Sequence, residues 1–175
     1  MGRSLRALVI AMLIVVATAA GAAAGSFHFR TSSFSLGSLT FNGIAVGLGN
    51  ADYTFELVGT ATVRANCVNP GGTEAQGRND LSVSVSNTAV ASTDENGQTP
   101  VSITVEDPTL ADFGGSAPSK KQAGCPNGNW TVANVTVVGW TAAHLTVTDN
   151  SAGEIVFEQS YSCGTSNGVF ACTAA

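Results

Sequence analysis

The sequence predicts an all-β fold: an antiparallel β-sandwich, immunoglobulin-like, of seven to eight strands, with a closed β-barrel as the alternative. Three observations lead there. Apolar and polar residues alternate with period two through most of the chain after residue 26. Turn residues, four Asn-Gly dipeptides among them, separate the alternating runs. No stretch there repeats apolar residues at i, i+3, i+4 and i+7 for long enough to make a helix.

Residues 1–25 read as a signal peptide rather than as part of the fold. Arg3 and Arg6 supply the positive start, Leu8 to Val16 the apolar stretch, and Ala22-Ala23-Ala24 the small-residue cleavage pattern. An uncleaved anchor is the competing reading, because residues 7–24 carry no charge, but the apolar stretch is short and its tail is alanine and glycine. Residues 26–175 then form a single secreted domain, large enough for its own core. Phe170 to Ala175 offers neither a hydrophobic tail nor a basic run for attachment to a membrane.

Phe41 to Leu48 is expected to form a strand that ends at Gly49-Asn50. The longest alternation follows: Tyr53, Phe55, Leu57, Gly59, Ala61, Val63, Ala65 and Cys67 make one apolar face. That run is too long for a flat strand, so a bend or bulge is expected at Gly59. Leu81, Val83 and Val85 make the next strand, and Val101, Ile103 and Val105 another. Residues 130–140, with a tryptophan at each end, and the run through His144, Leu145 and Val147 read as two more. Asp149-Asn150-Ser151-Ala152-Gly153 should close a hairpin onto the strand containing Ile155, Phe157 and Tyr161. Asn42-Gly43, Asn96-Gly97, Asn127-Gly128 and Asn167-Gly168 tolerate positive φ and read as turns.

All four cysteines, Cys67, Cys125, Cys163 and Cys172, follow the signal segment, and an even count in an exported chain implies two disulfides. Of three possible pairings, spacing favours Cys67–Cys125 with Cys163–Cys172. A zinc site competes poorly, since there is no C-x-x-C pair and neither histidine sits near a cysteine.

Removing Arg3 and Arg6 leaves five basic against twelve acidic side chains, a formal charge of −7. That balance argues against nucleic acid and anionic lipid as partners, which need clustered Lys and Arg. Gly164-Thr165-Ser166-Asn167-Gly168 matches the nucleophile-elbow pattern G-x-S-x-G. The elbow needs a following helix and a later histidine, and the chain has neither, so a flexible disulfide-closed turn is the better reading. His144 falls on a polar strand face and reads as a lone surface histidine, and His28 lies near the new N-terminus. Calcium could be held by Asp149, Asn150, Ser151 and Glu154, or by Glu106, Asp107 and Asp112, but neither group has the EF-hand spacing, and turn formation explains both. Asn129-Trp130-Thr131 and Asn134-Val135-Thr136 are formal glycosylation sequons. Gly47-Leu48-Gly49-Asn50 resembles part of a phosphate loop without the helix that such a loop requires. No cofactor is expected.

The candidate ligand-binding residues are therefore Trp140 and Trp130. Trp140, after Gly139 at a strand end, is the better placed for exposure as a platform for sugar rings. Trp130, five residues after Cys125, should pack partly against the disulfide.

The succession Gly47-Leu48-Gly49-Asn50, Cys67-x-Asn69-Pro70-Gly71-Gly72 and Cys125-Pro126-Asn127-x-Asn129-Trp130 resembles a family of small secreted proteins of actinobacteria and related bacteria. The likeness spans residues 40–162. The chain departs from it at Ala75-Gln76-Gly77, where the family has Ala-Pro-Gly, and in the added segment from Cys163 to Cys172. The resemblance implies export and a β-fold. It transfers no functional residue, because the family carries no established activity.

The expected function is that of a secreted, non-enzymatic β-sandwich with a structural or binding role at the cell envelope or in the extracellular space. A carbohydrate-binding module is the alternative, and an enzyme the least supported class. The partner would be an extracellular protein or glycan, with no membrane contact after signal cleavage; the oligomeric state is left open.

Overall fold

The computed structural model describes residues 27–175, so the signal segment lies outside the described residues. The strands are β1 (His28–Ser35), β2 (Leu39–Val46), β3 (Asp52–Val68), β4 (Glu74–Ser92), β5 (Gln98–Val105), β6 (Thr131–Asp149), β7 (Glu154–Ser166) and β8 (Val169–Ala174). They form two antiparallel sheets, β1-β2-β5 and β4-β3-β6-β7-β8. The sheets pack as a β-sandwich; among the described residues no strand ladder joins one sheet to the other, which excludes the closed barrel. At one open side Asn87 Nδ2 donates to the Thr104 carbonyl at 2.7 Å and gives an edge acceptor of β5 a partner.

β3 is the centre of the fold because its alternation is the longest. Its odd residues Tyr53, Phe55, Leu57, Ala61, Val63, Ala65 and Cys67 are all buried, and its even residues face outward. The buried residues from Tyr53 to Val63 share one core cluster with Leu39, Phe41 and Ala45 of β2 and Val101, Ile103 and Val105 of β5. Full burial of each such leucine, phenylalanine or valine contributes about 1.5–3 kcal/mol. A chain of edge-to-face rings, Phe27, Phe29, Phe34, Phe41, Phe157 and Tyr161, fills the side nearest β1.

The two strands expected over 130–140 and around 144–148 are one strand, β6, and its bulges decide which side chains enter the core. Thr60 pairs with Ala142 but Ala61 pairs with Trp140, so Thr141 is an extra residue. Thr62 pairs with Gly139 and Val63 with Val137, which makes Val138 a second extra residue. Each extra residue reverses the inward–outward parity. Downstream, Ala143, Leu145 and Val147 point inward; upstream of Thr141 the inward residue is Trp140. The expectation of an exposed Trp140 is overturned: it sits within β6, 2% exposed, at the heart of the core. Its indole Nε1 is buried without a hydrogen-bond partner.

Gly59 is not a bulge in β3 but a gap that this ring fills. A Cβ there would lie 2.6 Å from Trp140 Cζ3 and 2.8 Å from Leu39 Cδ2. The dipeptide Asn42-Gly43 is likewise no turn. It lies in the middle of β2, paired to Ser33 and Ser32 on one side and Ser102 and Val101 on the other. A Gly43 Cβ would come within 2.9 Å of the Phe29 ring and 3.0 Å of the Phe41 ring.

The described region begins and ends in strands. His28 opens β1, and the segment after Tyr161 continues as β7 and returns as β8. Gly164 to Gly168 is the tip of a hairpin, so the disulfide-closed turn expected there forms, with Gly164, Thr165 and Ser166 already in β7. Asn167 at φ 53° and Gly168 at φ 77° turn it, and Ser166 pairs with Val169. Both disulfides form with the expected partners. Cys163 and Cys172 face each other across the β7–β8 ladder, and Cys67, at the end of β3, bonds Cys125 across 58 residues. The loop holding Cys125 contains the only departures from the all-strand expectation among the described residues, a 3-10 turn at Leu110–Asp112 and a single-turn helix α1 (Lys120–Ala123). Gly124 at φ 69° ends α1, and its carbonyl accepts from Arg78 N.

Candidate functional site

The broadest ordered surface is the outer face of the five-stranded sheet. Strand parity puts Thr60, Thr62, Arg64 and Asn66 of β3 there. Ser82, Ser84 and Ser86 of β4, Thr136, His144 and Thr146 of β6, and Glu158, Ser160 and Ser162 of β7 lie beside them. Several of these groups pair across the strands. Thr60 and Ser84 hydroxyls lie 2.9 Å apart, and Asn66 Nδ2 donates to Asn134 Oδ1 and, at 3.1 Å, to Thr136 Oγ1. Arg64 Nε meets Asp80 Oδ1 at 2.5 Å. Such exposed cross-strand contacts contribute a few tenths of a kcal/mol to about 1 kcal/mol each. They tie neighbouring strands of the face together.

His144 is not a lone surface histidine. Its Nδ1 lies 3.0 Å from Ser160 Oγ on the strand directly opposite, and its Nε2 lies 3.1 Å from Glu158 Oε1. The serine–imidazole–carboxylate order matches that of hydrolytic triads. Acyl transfer also needs N–H donors aimed at the developing oxyanion. Here the surrounding backbone belongs to ladders on both sides of β6, and the group stands on an open sheet face. What the arrangement does is bridge β6 and β7 through the Ser160 hydroxyl and the Glu158 carboxylate. Asp107 and Asp112 are two strands away, beside the recess between β4 and β5. They form no cluster with His144.

The two acidic groups considered for calcium are engaged in local structure. Asp112 caps the 3-10 turn, accepting from Thr109 N at 2.7 Å and Thr109 Oγ1 at 2.9 Å, while Glu106 accepts from Ser38. In the β6–β7 turn Asp149 Oδ1 accepts from Ser151 Oγ and from the Ser151 and Ala152 amides. These bonds hold the Asp149 carboxyl below its ordinary range, the Ser151 hydroxyl contributing most. Asn150 Oδ1 accepts from Thr54. Among the described residues no three His, Cys, Asp or Glu side chains converge to hold a metal ion.

Of the two tryptophans, only Trp130 keeps an accessible face. It is half-buried just before β6, and its backbone N–H donates to the Asn127 carbonyl at 3.3 Å. Beside it, the stapled loop docks on an irregular part of β4. Arg64 pairs with Asp80 but Asn66 pairs with Gln76, so residues 77–79 bulge from the ladder. From that bulge Asn79 Nδ2 donates to the Lys121 and Gln122 carbonyls at 3.3 and 2.9 Å. Ala65, Cys67 and Ala123 are fully buried beneath the loop. Nothing in the alternation of β4 signals this dock; Gly77, where a Cβ would lie 2.2 Å from the Ala123 carbonyl oxygen, is its one local mark.

A third surface lies on the outer face of the three-stranded sheet. Thr31, Ser33, Asn42, Ile44, Pro100 and Ser102 line a cleft of about 540 Å³. None of them read as a site residue in the sequence: Asn42 read as part of a turn, and serines and threonines on a strand face read as ordinary solvated residues. Comparison of the chain with protein-family models, with curated proteins and with solved structures finds no match.

Proposed function

We propose that this chain is an exported β-sandwich that acts outside the cytoplasm as a structural or binding module rather than as a catalyst. The observation that carries the proposal is the pair of disulfides, Cys67–Cys125 and Cys163–Cys172, with no free cysteine among the described residues. Such bonds persist in oxidising compartments and are rare in the cytosol. The signal-like residues 1–25 and the resemblance to small secreted actinobacterial proteins support the same compartment. The non-catalytic part of the proposal draws on the His144 group, whose surrounding backbone is taken up in strand ladders on an open sheet face. The immunoglobulin-like assignment belongs to this proposal too. Two packed antiparallel sheets and a core tryptophan favour it, although neither disulfide joins the two sheets in the manner of antibody domains.

Expression of the full chain, fractionation of cells and medium, and thiol labelling of each fraction test the proposal. An oxidised, processed protein in the medium that binds to isolated cell-wall material or extracellular protein supports it. A reduced protein held in the cytoplasm refutes it.

The carbohydrate-binding alternative loses Trp140, which the core encloses. It rests on the three-stranded sheet instead.

A further inference from the structure

We propose that the outer face of the β1-β2-β5 sheet is a binding cleft for one or two rings of a neutral saccharide. This rests on the binding-module reading above. Two outward rows of side chains build the cleft. Thr31, Ile44 and Pro100 stand side by side across the three strands, and Ser33, Asn42 and Ser102 form the adjacent row. Neighbouring strands lie about 4.8 Å apart and successive outward residues about 7 Å apart. The platform is therefore on the order of 10 Å wide. Short side chains at Ser33 and Ser102, with no bulky residue above them, leave the hollow of about 540 Å³. That volume falls in the range of small-molecule sites.

The chemistry of the lining selects the ligand. Ile44 and Pro100 present an apolar floor for the C–H face of a pyranose. The Asn42 amide offers both donors and an acceptor, and the Thr31, Ser33 and Ser102 hydroxyls offer either role, which suits the hydroxyl edge of a sugar. No lining residue is ionisable, although the chain as a whole is acidic. A phosphate, carboxylate or ammonium group would find no counter-charge there.

The polar row of the cleft is open along its whole width. On the larger sheet Thr60 is hydrogen-bonded to Ser84, Asn66 to Thr136 and His144 to Ser160, and Thr40 and Thr104, at the end of the small sheet, share a bond of 2.9 Å. Among the described residues Ser33, Asn42 and Ser102 have no side-chain partner within the chain. Their bonding capacity is presented outward in one row, next to an apolar row. That pairing of unengaged donors with a small hydrophobic floor is what a binding site requires.

Saturation-transfer NMR tests the proposal on protein recovered from the medium of cells expressing the full chain. The probes are cellobiose, maltose and N,N′-diacetylchitobiose, with glucuronic acid as the charged control. Saturable transfer from at least one neutral disaccharide, with none from glucuronic acid, is expected. Asn42→Ala should weaken binding about tenfold, the loss of roughly one hydrogen-bonding group. Ile44→Asp should abolish it, and Ser84→Ala on the opposite sheet should leave it unchanged. Far-UV circular dichroism and melting of each variant verify that the fold is retained. The cleft proposal is overturned if no probe binds saturably, if Asn42→Ala and folded Ile44→Asp bind like the parent, or if glucuronic acid binds as well as the neutral sugars. An oxidised, exported protein that binds envelope material but fails these tests loses only the cleft; a reduced cytoplasmic protein loses the functional reading as well.

Discussion

Substituting Gly59 tests the central packing of this sandwich through the sign of its effect. Glycine within a strand is ordinarily worse than alanine by about 0.5–1 kcal/mol, because it loses more backbone entropy on folding. On that ground alone Gly59→Ala would stabilise the domain. The built Cβ, however, falls 2.6 Å from Trp140 Cζ3, 3.0 Å from Cε3 and 2.8 Å from Leu39 Cδ2. Trp140 is 2% exposed and Leu39 fully buried, so neither has space in which to withdraw. Overpacking of a closed core costs about 1–3 kcal/mol. The two ranges leave a loss between about 0 and 2.5 kcal/mol, and the approach of two enclosed side chains within 3.0 Å puts it at about 1–2 kcal/mol, or about 2–8 °C in Tm for a domain of this size. Urea unfolding followed by circular dichroism reads it, together with the background Trp140→Phe. The smaller ring should vacate the clashing position, and it also removes the unpartnered indole N–H. In that background Gly59→Ala should cost less than in the parent, a coupling of at least 0.5 kcal/mol on the scale seen for residues in contact. A Gly59→Ala protein as stable as the parent or more so, with additive effects in the double variant, would refute the account of why glycine occupies this position.

Other perturbations follow from the same structure. Cys67→Ser with Cys125→Ser should lower stability by about 4 kcal/mol on chain-entropy grounds, and Cys163→Ser with Cys172→Ser by under 3 kcal/mol; calorimetry that ranks them the other way contradicts the staple reading. Asn79→Ala removes the side chain that holds two carbonyls of α1 and should cost about 1–2 kcal/mol. Limited proteolysis should then cut near Gly124 sooner than in the parent, and unchanged cleavage would mean that the loop docks by other contacts. Asp149 carries a carboxyl lowered from its ordinary 3.8 by the Ser151 and Ala152 bonds. A depressed folded value contributes stability above the unfolded value that is lost as pH falls through the folded one. The stability difference between the parent and Asp149→Ala should therefore shrink as pH drops from 3.8 downward. A difference constant down to the lowest pH at which both remain folded would contradict this.

Much of the architecture was legible because period-two alternation records burial directly. The odd residues of β3 face inward from Tyr53 to Cys67 without a slip, so their identities alone marked the core face. Chain spacing and compartment chemistry were enough to pair the cysteines. The β7–β8 hairpin was half-visible: Asn167-Gly168 marked its turn, but short flanking runs with glycine and cysteine carry little strand signal of their own. Asn42-Gly43 misled for the opposite reason. The same dipeptide that tolerates positive φ also leaves space for a neighbouring ring, and only the position of Phe29 and Phe41 distinguishes the two uses.

For the site, residue type was legible and surroundings were not. Trp140 carries the same letters around it whether it faces solvent or core. The bulge at Thr141 reverses strand parity and turns it inward, and a bulge depends on pairing with β3 some 80 residues earlier. His144 gained Ser160 and Glu158 only when β7 folded back beside β6. The cleft on β1-β2-β5 draws on three strands that span residues 28–105, and its serines look no different from those of the opposite sheet. By itself the sequence determined the strand class, the inward face of β3, the disulfide partners and the sign of the charge, because each follows from local alternation, spacing or composition. Tertiary structure alone decided which tryptophan remains accessible and which hydroxyls stay unpaired, because both depend on the register between strands distant in the chain.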